Sequence, residues 1–257
     1  MDLDGVHRRL RQIAKLCNEY RPDHKPTVFE GSPTEFRGYS EAEIKLAVCK
    51  KCPTVAFATD QAMFMEYLGI CPEIYAVRAE YYCMEFLHPV EHNVDSLQMQ
   101  EKILYHNVWT RMPEWIQENE LAWRDHLRKS IKIEVPDWAL EKKCVIHGDP
   151  TLDNVLIDRK GGLRITDPIP PQYLGKPSIM PVDHGKILQS FLGWEVVLRG
   201  MEPIEYAWPL FMKHPSLACR AIFWAMVAIK RIAYRDMSDG ITQWAKQVAK
   251  ELEELCK

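Results

Sequence analysis

Val145-Ile-His147-Gly148-Asp149-Pro-Thr-Leu-Asp153-Asn154-Val-Leu-Ile157, followed by Ile165-Thr-Asp167-Pro168, is the stretch on which the reading of this chain turns. Val155-Leu-Ile157 and Leu163-Arg-Ile-Thr166 read as a hairpin across Asp158-Arg-Lys-Gly-Gly162. That hairpin returns Asp167 toward Asp149 and Asn154, gathering two carboxylates and a carboxamide around one strand-loop-strand unit. Such a group can orient a hydroxyl beside a magnesium-bound triphosphate.

Phosphoryl transfer asks for that geometry. Its transition state spreads charge over the phosphoryl oxygens, so one carboxylate positions the nucleophile while another, with a carboxamide, holds metal ions. Hard oxygen donors suit Mg²⁺, and the stretch offers no thiolate or imidazole cluster of the kind zinc prefers. Taken singly, Asp149 or Asp167 could merely cap a turn, a setting that favours Asp. The ordered set is more specific than either residue. Asp153 adjoins Asn154 and, because neighbours on a regular element point apart, is expected to face solvent.

His147-Gly-Asp149, with Asn154 five residues after the aspartate and Ile165-Thr-Asp167-Pro168 beyond it, resembles the catalytic signature of the aminoglycoside phosphotransferase and choline kinase group, small-molecule relatives of protein kinases. Gly175-Lys-Pro and Val182-Asp183-His-Gly-Lys186-Ile-Leu-Gln-Ser-Phe-Leu-Gly193 are similar to the segment these families carry next, above all in bacterial sugar and capsule-type phosphotransferases. The resemblance spans residues 145–195. It implies that Asp149 orients the substrate hydroxyl and accepts its proton, that Asn154 binds magnesium, and that Asp167 bridges magnesium to the nucleotide phosphates. It further implies structural roles for His147, behind the catalytic loop, and for Asp183, as acceptor of hydrogen bonds from that loop's backbone.

The same families cover the phosphates with a glycine-containing hairpin and bind them with a strand lysine that pairs with a helix glutamate. The resemblance places the hairpin at Phe29-Glu-Gly31-Ser32-Pro-Thr-Glu-Phe-Arg-Gly38 and the lysine at Lys45, with Lys50 and Lys51 as rivals. Residues 43–48 fit a short strand, although Ser40-Glu-Ala-Glu43 is also a helix-starting pattern. The helix expected from Asp60 to Gly69 carries Gln61 where the family has its glutamate, and Glu66 lies about 140° further around. Tyr82-Cys-Met-Glu85-Phe-Leu87 resembles the last strand before a hinge, where backbone groups near Glu85 and Leu87 would meet the adenine.

Outward from the motifs, residues 3–16 have the apolar spacing of an amphipathic helix. Residues 74–77 and 81–87 read as strands, 91–143 as helical, 143–146 as a short strand, and 182–257 as helical with breaks at Pro203, Pro209 and Pro215. The chain shows no internal repeat. Its fold class reads as α+β, a two-lobed protein-kinase-like fold with a small mixed lobe over residues 1–87 and a mostly helical lobe over 88–257.

A chain of 257 residues with 47% apolar and 27% charged side chains has the composition of a folded domain rather than a disordered one. A net charge of −3 gives no general drive toward nucleic acid or an anionic membrane. The first residues mix acids and bases without an apolar core and do not read as a secretory signal. The longest apolar run, residues 221–229, is too short to span a bilayer and reads as a buried helix. Eight scattered cysteines read as free thiols of a cytoplasmic protein, and Cys49-Lys-Lys-Cys52 alone is a weak sign of metal or redox use. His184 reads as a packed or solvated side chain. The aromatic and methionine stripe at Phe191, Trp194, Phe211, Met212, Phe223, Trp224 and Met226 reads as core or pocket lining.

The function these readings imply is ATP- or GTP-dependent, Mg²⁺-dependent phosphorylation of a small-molecule hydroxyl on a sugar, an amino alcohol or an aminoglycoside-like compound. Nucleic acid and membrane are not expected partners. Two alternatives stand beside it: a kinase-like binding module without efficient chemistry, and a kinase-fold enzyme that modifies a protein or transfers a nucleotidyl group.

Overall fold

The computed structural model describes residues 2–22, 47–110, 120–158, 160–205, 208–235 and 237–256. Gly31, Ser32, the rest of the expected hairpin over 29–38, and Lys45 lie outside the described residues.

Helix α1 (Leu3–Ala14) buries Val6, Leu10 and Ile13, one face at helical spacing. Strand β1 (Ala47–Lys51) leads into α2 (Val55–Leu68), which Thr54 caps by accepting a hydrogen bond from Phe57 N at 3.1 Å. Strands β2 (Ile74–Arg78) and β3 (Tyr81–Glu85) complete an antiparallel sheet in the order β1-β3-β2. Register sets Lys50 opposite Tyr82 and Cys49 opposite Cys83, so these two pairs point to opposite faces. On the Tyr82 side a small core of Cys52, Ala58, Ala62, Met65, Tyr82 and Met84 joins α2 to the sheet.

The short β4 (His88–Pro89) pairs with β5 (Val155–Ile157), which pairs with β6 (Leu163–Ile165), all antiparallel. The remainder is helical: α3 (Val94–Asn107), α4 (Glu120–Ile131), α5 (Met180–Phe191), α6 (Trp194–Arg199), α7 (Pro215–Ala233) and α8 (Asp239–Leu255). Proline opens α7, where a missing N–H costs nothing. Helix α7 forms the centre of the larger core, packed against α5 on one side and α8 on the other, with Trp224 and Trp244 fully buried. Helices α5 and α7 approach so closely at Gly185 that a Cβ there would lie 2.6 Å from the backbone of Ala225 and Trp224.

Three expectations are corrected. Residues 143–146 form no strand: Lys143 makes one isolated bridge to Ile179, while Val145 and Ile146 are buried and Val145 N bonds Thr110 O. Their apolar character serves the core rather than a ladder. After α4 the chain is irregular to residue 143 apart from a 3-10 turn at Asp137–Ala139. Helix α1 packs on α8, and His7 Nε2 lies 3.3 Å from Met212 O. Finally, Cys49 and Cys83 form a disulfide across β1 and β3, so these two are not free thiols; the other six cysteines are. No helix among the described residues is long and apolar enough to cross a membrane.

Candidate active site

The loop after residue 146 is fixed by one buried carboxylate. Asp183, in the first turn of α5, accepts hydrogen bonds from His147 N at 2.8 Å, from Gly148 N at 2.7 Å and from Trp109 Nε1 at 2.9 Å. Burial pushes its carboxyl up to about 6 against these stabilising donors. Gly148 has φ +88°, and a Cβ there would meet Leu174 at 2.7 Å, so this tight turn requires glycine. His147 is fully buried, and Asp149 N donates to its Nδ1 at 3.3 Å. Burial holds the imidazole down at about 4, hence neutral at physiological pH.

Further along, Gln100 Nε2 donates to Pro150 O at 2.6 Å. Leu152 N donates to both Ser190 Oγ and Glu195 Oε1, each at 3.0 Å. The 3-10 turn Leu152–Asn154 then delivers Asn154, whose Nδ2 donates to Asp149 O at 2.8 Å. Thr166 N donates to Asn154 O at 2.8 Å, drawing the residue before Asp167 against the loop. Asp149, Asn154 and Asp167 are thereby brought into one assembly.

Each of the two acids has its own cation. Asp149 Oδ1 lies 2.7 Å from Lys186 Nζ on α5. Burial raises the Asp149 carboxyl, but Lys186 and then Lys176 and His147 outweigh it and hold it below the usual carboxylate range. Asp167 Oδ1 lies 2.5 Å from Lys50 Nζ and accepts a hydrogen bond from the Tyr82 hydroxyl at 2.9 Å. Tyr82 stays protonated, because burial and then Asp167 push its hydroxyl far up. Asp167 itself has φ +62°, rare for a residue with a side chain and a form of backbone strain that concentrates at functional sites.

Both partners of Asp167 use Oδ1, and Asn154 is tied through its nitrogen. Among the described residues, Oδ2 of Asp167 and Oδ1 of Asn154 are the oxygens left for a cation, and hard donors of this kind fit Mg²⁺. No cluster of three or more His, Cys, Asp or Glu residues able to hold a metal occurs among the described residues.

Lys50 on β1, rather than Lys51, reaches Asp167; Lys51 pairs with Glu80 at 3.9 Å and is more exposed. Gln61 is buried in α2, where Nε2 donates to Pro168 O at 2.9 Å and Oε1 accepts from Cys52 Sγ at 3.7 Å. It therefore ties α2 to the residue after Asp167 instead of pairing with a lysine. Glu85 ends β3 and donates its N–H to Glu73 O at 2.8 Å; Leu87 is buried between β3 and β4. Asp153 does not face solvent: it accepts from Thr151 Oγ1 at 2.6 Å and from Arg199 at 3.2 Å, and burial lifts its carboxyl to about 6. His184 is packed, stacked on Phe211 at 4.2 Å and edge-on to Trp109 at 4.5 Å.

Sequence reasoning missed Lys176, Lys186 and Tyr82. For Tyr82 the signal was period-two alternation placing it on one strand face with Met84; for the lysines it was only their place in the Gly175-Lys-Pro and Val182–Gly193 segments that resemble the family. A cavity of about 820 Å³ bordered by Arg8, Lys15, Phe191 and Ile204 contains none of these side chains.

No protein-family model matches the chain, and no curated protein matches it in sequence. Solved structures do match its fold. Choline kinase LicA from Streptococcus pneumoniae aligns with a TM-score of 0.54 at 13% identity, covering 82% of this chain and 86% of that one. A choline/ethanolamine kinase family protein from Mesorhizobium loti aligns with a TM-score of 0.51 at 11% identity, covering 95% of both chains. The chain is a mixed α and β fold with small antiparallel sheets and many helices, and it shares that fold with these two structures. At these identities the likeness is one of fold, shared over most of each chain.

Proposed function

We propose that this chain is a Mg-ATP-dependent phosphotransferase acting on a hydroxyl of a small molecule. The carrying observation is the bonded assembly of Asp149, Asn154 and Asp167, with a separate lysine on each acid. In this reading Lys50, named in the sequence as a rival to Lys45, binds the nucleotide phosphates, and Tyr82 helps hold Asp167 in register. Asn154 Oδ1 and Asp167 Oδ2 would hold the magnesium ion, whose charge offsets that of the transferring phosphoryl group.

Asp149 orients the acceptor hydroxyl and takes its proton as the acceptor oxygen bonds to the γ-phosphorus of ATP. The bond from that phosphorus to the β–γ bridging oxygen breaks, and ADP leaves. Two lobes divide near residues 85–87, where backbone groups would meet the adenine; the separate small core beneath β1, β2 and β3 supports that division, with α1 assigned to the helical side.

The test is [γ-³²P]ATP transfer to a fractionated metabolite pool. Asp149→Ala should retain Mg-ATP binding and lose turnover, whereas Asp167→Ala should lose the Mg²⁺-dependent part of nucleotide binding. Full turnover in Asp149→Ala would refute its assigned role.

A further inference from the structure

Three cations from three separate elements converge on the catalytic loop. Lys186 of α5 lies 2.7 Å from Asp149 Oδ1, with only 15% of its side chain exposed. Lys176, buried in the segment before α5, donates to Gly148 O at 2.9 Å. Arg231, near the end of α7, brings Nη2 to 4.0 Å from where a Cβ on Gly175 would sit, with the His126 ring also against that point at 3.4 Å.

The acids facing this group are Asp149 and Asp183. Asp183 is fully buried and already accepts three hydrogen bonds. Among the described residues Arg231 has no ion pair, and the nearby Arg235 adds further positive charge. Mutual repulsion is felt within the group: burial first, then Lys186 and Arg231, bring the Lys176 ammonium down to about 7. Among the described residues the cluster is thus under-compensated, and Arg231 is its half-buried member without a carboxylate of its own.

Its location assigns the charge to the acceptor side. Asp167, the acid proposed to face the nucleotide, draws its cation from the sheet through Lys50. Asp149, the acid proposed to face the acceptor, draws its cations from α5 and from the segment just before it, through Lys186 and Lys176. We propose, building on the phosphotransferase reading above, that the acceptor is an anionic hydroxy compound whose phosphate or carboxylate seats against Arg231 and Lys186 while its hydroxyl meets Asp149. The phosphoryl group moves as already described. A cationic amino alcohol would meet like charge in this place and is disfavoured. A guanidinium can take either anion through two parallel hydrogen bonds.

The experiment uses the full chain and four hydroxylated probes built on one six-carbon frame: glucose, glucosamine, gluconate and glucose 6-phosphate. Binding is followed by ligand-detected NMR, and transfer by [γ-³²P]ATP. Gluconate, glucose 6-phosphate or both should bind at least about tenfold more tightly than glucose, and the two arms tell carboxylate from phosphate. Arg231→Gln should abolish that preference and Arg231→Lys should keep most of it, with the melting-temperature shift on adding Mg-ATP showing that each variant is folded. Equal binding of all four probes, or anion binding undisturbed in Arg231→Gln, overturns the proposal. Transfer favouring glucosamine or glucose also overturns it while leaving the phosphotransferase reading in place. Selective anion binding without transfer to any metabolite supports the anion site and counts against that reading instead.

Discussion

Lys50 and Tyr82, opposite one another on β1 and β3, both reach the same oxygen of Asp167, the ammonium at 2.5 Å and the hydroxyl at 2.9 Å. Cross-strand partners share a sheet face, so one register fixes both groups at once. Gln61, on the helix beneath, holds the next residue's carbonyl. The strained Asp167 backbone is therefore bound from the sheet and from α2.

That arrangement separates three lysines by experiment. Lys50→Met should weaken Mg-ATP binding by at least about tenfold, the scale of one lost charge-assisted contact. Lys51→Met, on the opposite strand face, should bind nucleotide as the natural chain does. Nucleotide titration of these two and of Lys45→Met checks the assignment. Loss confined to Lys45→Met would return the role to that residue.

The buried Asp183 predicts a graded pair of stability changes. Asp183→Ala strands the N–H groups of His147 and Gly148 inside the protein, at about 1–3 kcal/mol for each unpaired donor. Trp109→Phe removes one donor from a carboxylate that keeps two, and should cost only about 1 kcal/mol. Urea unfolding should rank Asp183→Ala well below Trp109→Phe. The reverse order would show that the loop does not depend on this carboxylate.

Asp149, Asn154 and Asp167 were legible in the sequence because one short loop and one hairpin carry all three, and turn residues mark both. The cations were not. The sequence leaves Lys45, Lys50 and Lys51 as rivals, and only the pairing of Lys50 with Tyr82 shows which strand face Lys50 takes. Lys186 and Arg231 are both brought toward Asp149 because α5 packs on α7, a long-range contact that no local pattern encodes. The periodicity of α1 likewise showed that one face is buried, without saying that α8 covers it.

His184 predicts a pH dependence. Burial between Trp109 and Phe211 lowers its imidazole from the usual 6.5 to about 3, so the fold holds the neutral ring. A folded value below the unfolded one gives stability that is present above pH 6.5 and lost as pH falls toward 3. Its share should decline by about 1.4 kcal/mol per pH unit in that window. The stability difference between the natural chain and His184→Leu should therefore shift by roughly 2 kcal/mol in the variant's favour from pH 6.5 to pH 5. Parallel urea curves at the two pH values measure it, and a pH-independent difference would place a charged His184 in the folded protein.

The contact of α5 with α7 ties stability to the site and gives the sharpest mutational contrast. Gly185 sits between Asp183 and Lys186, and a Cβ on it would fall 2.6 Å from Ala225 N and from Trp224 C, both backbone atoms that no rotamer change can move. Gly185→Ala must push the two helices apart, at about 3 kcal/mol or more. Because α5 carries Asp183 and Lys186, the displacement should also loosen the loop at Gly148 and separate Lys186 from Asp149. Gly240, in the first turn of α8, has among the described residues only Tyr20 O near its added Cβ, at 3.9 Å. Gly240→Ala should be neutral or stabilising by up to about 1 kcal/mol, since alanine restricts the unfolded chain and favours helix. Melting temperatures of the two variants side by side read the difference directly. An unshifted Gly185→Ala would mean that α5 and α7 do not meet at this closest point, and the placement of both cations around Asp149 would fall with it.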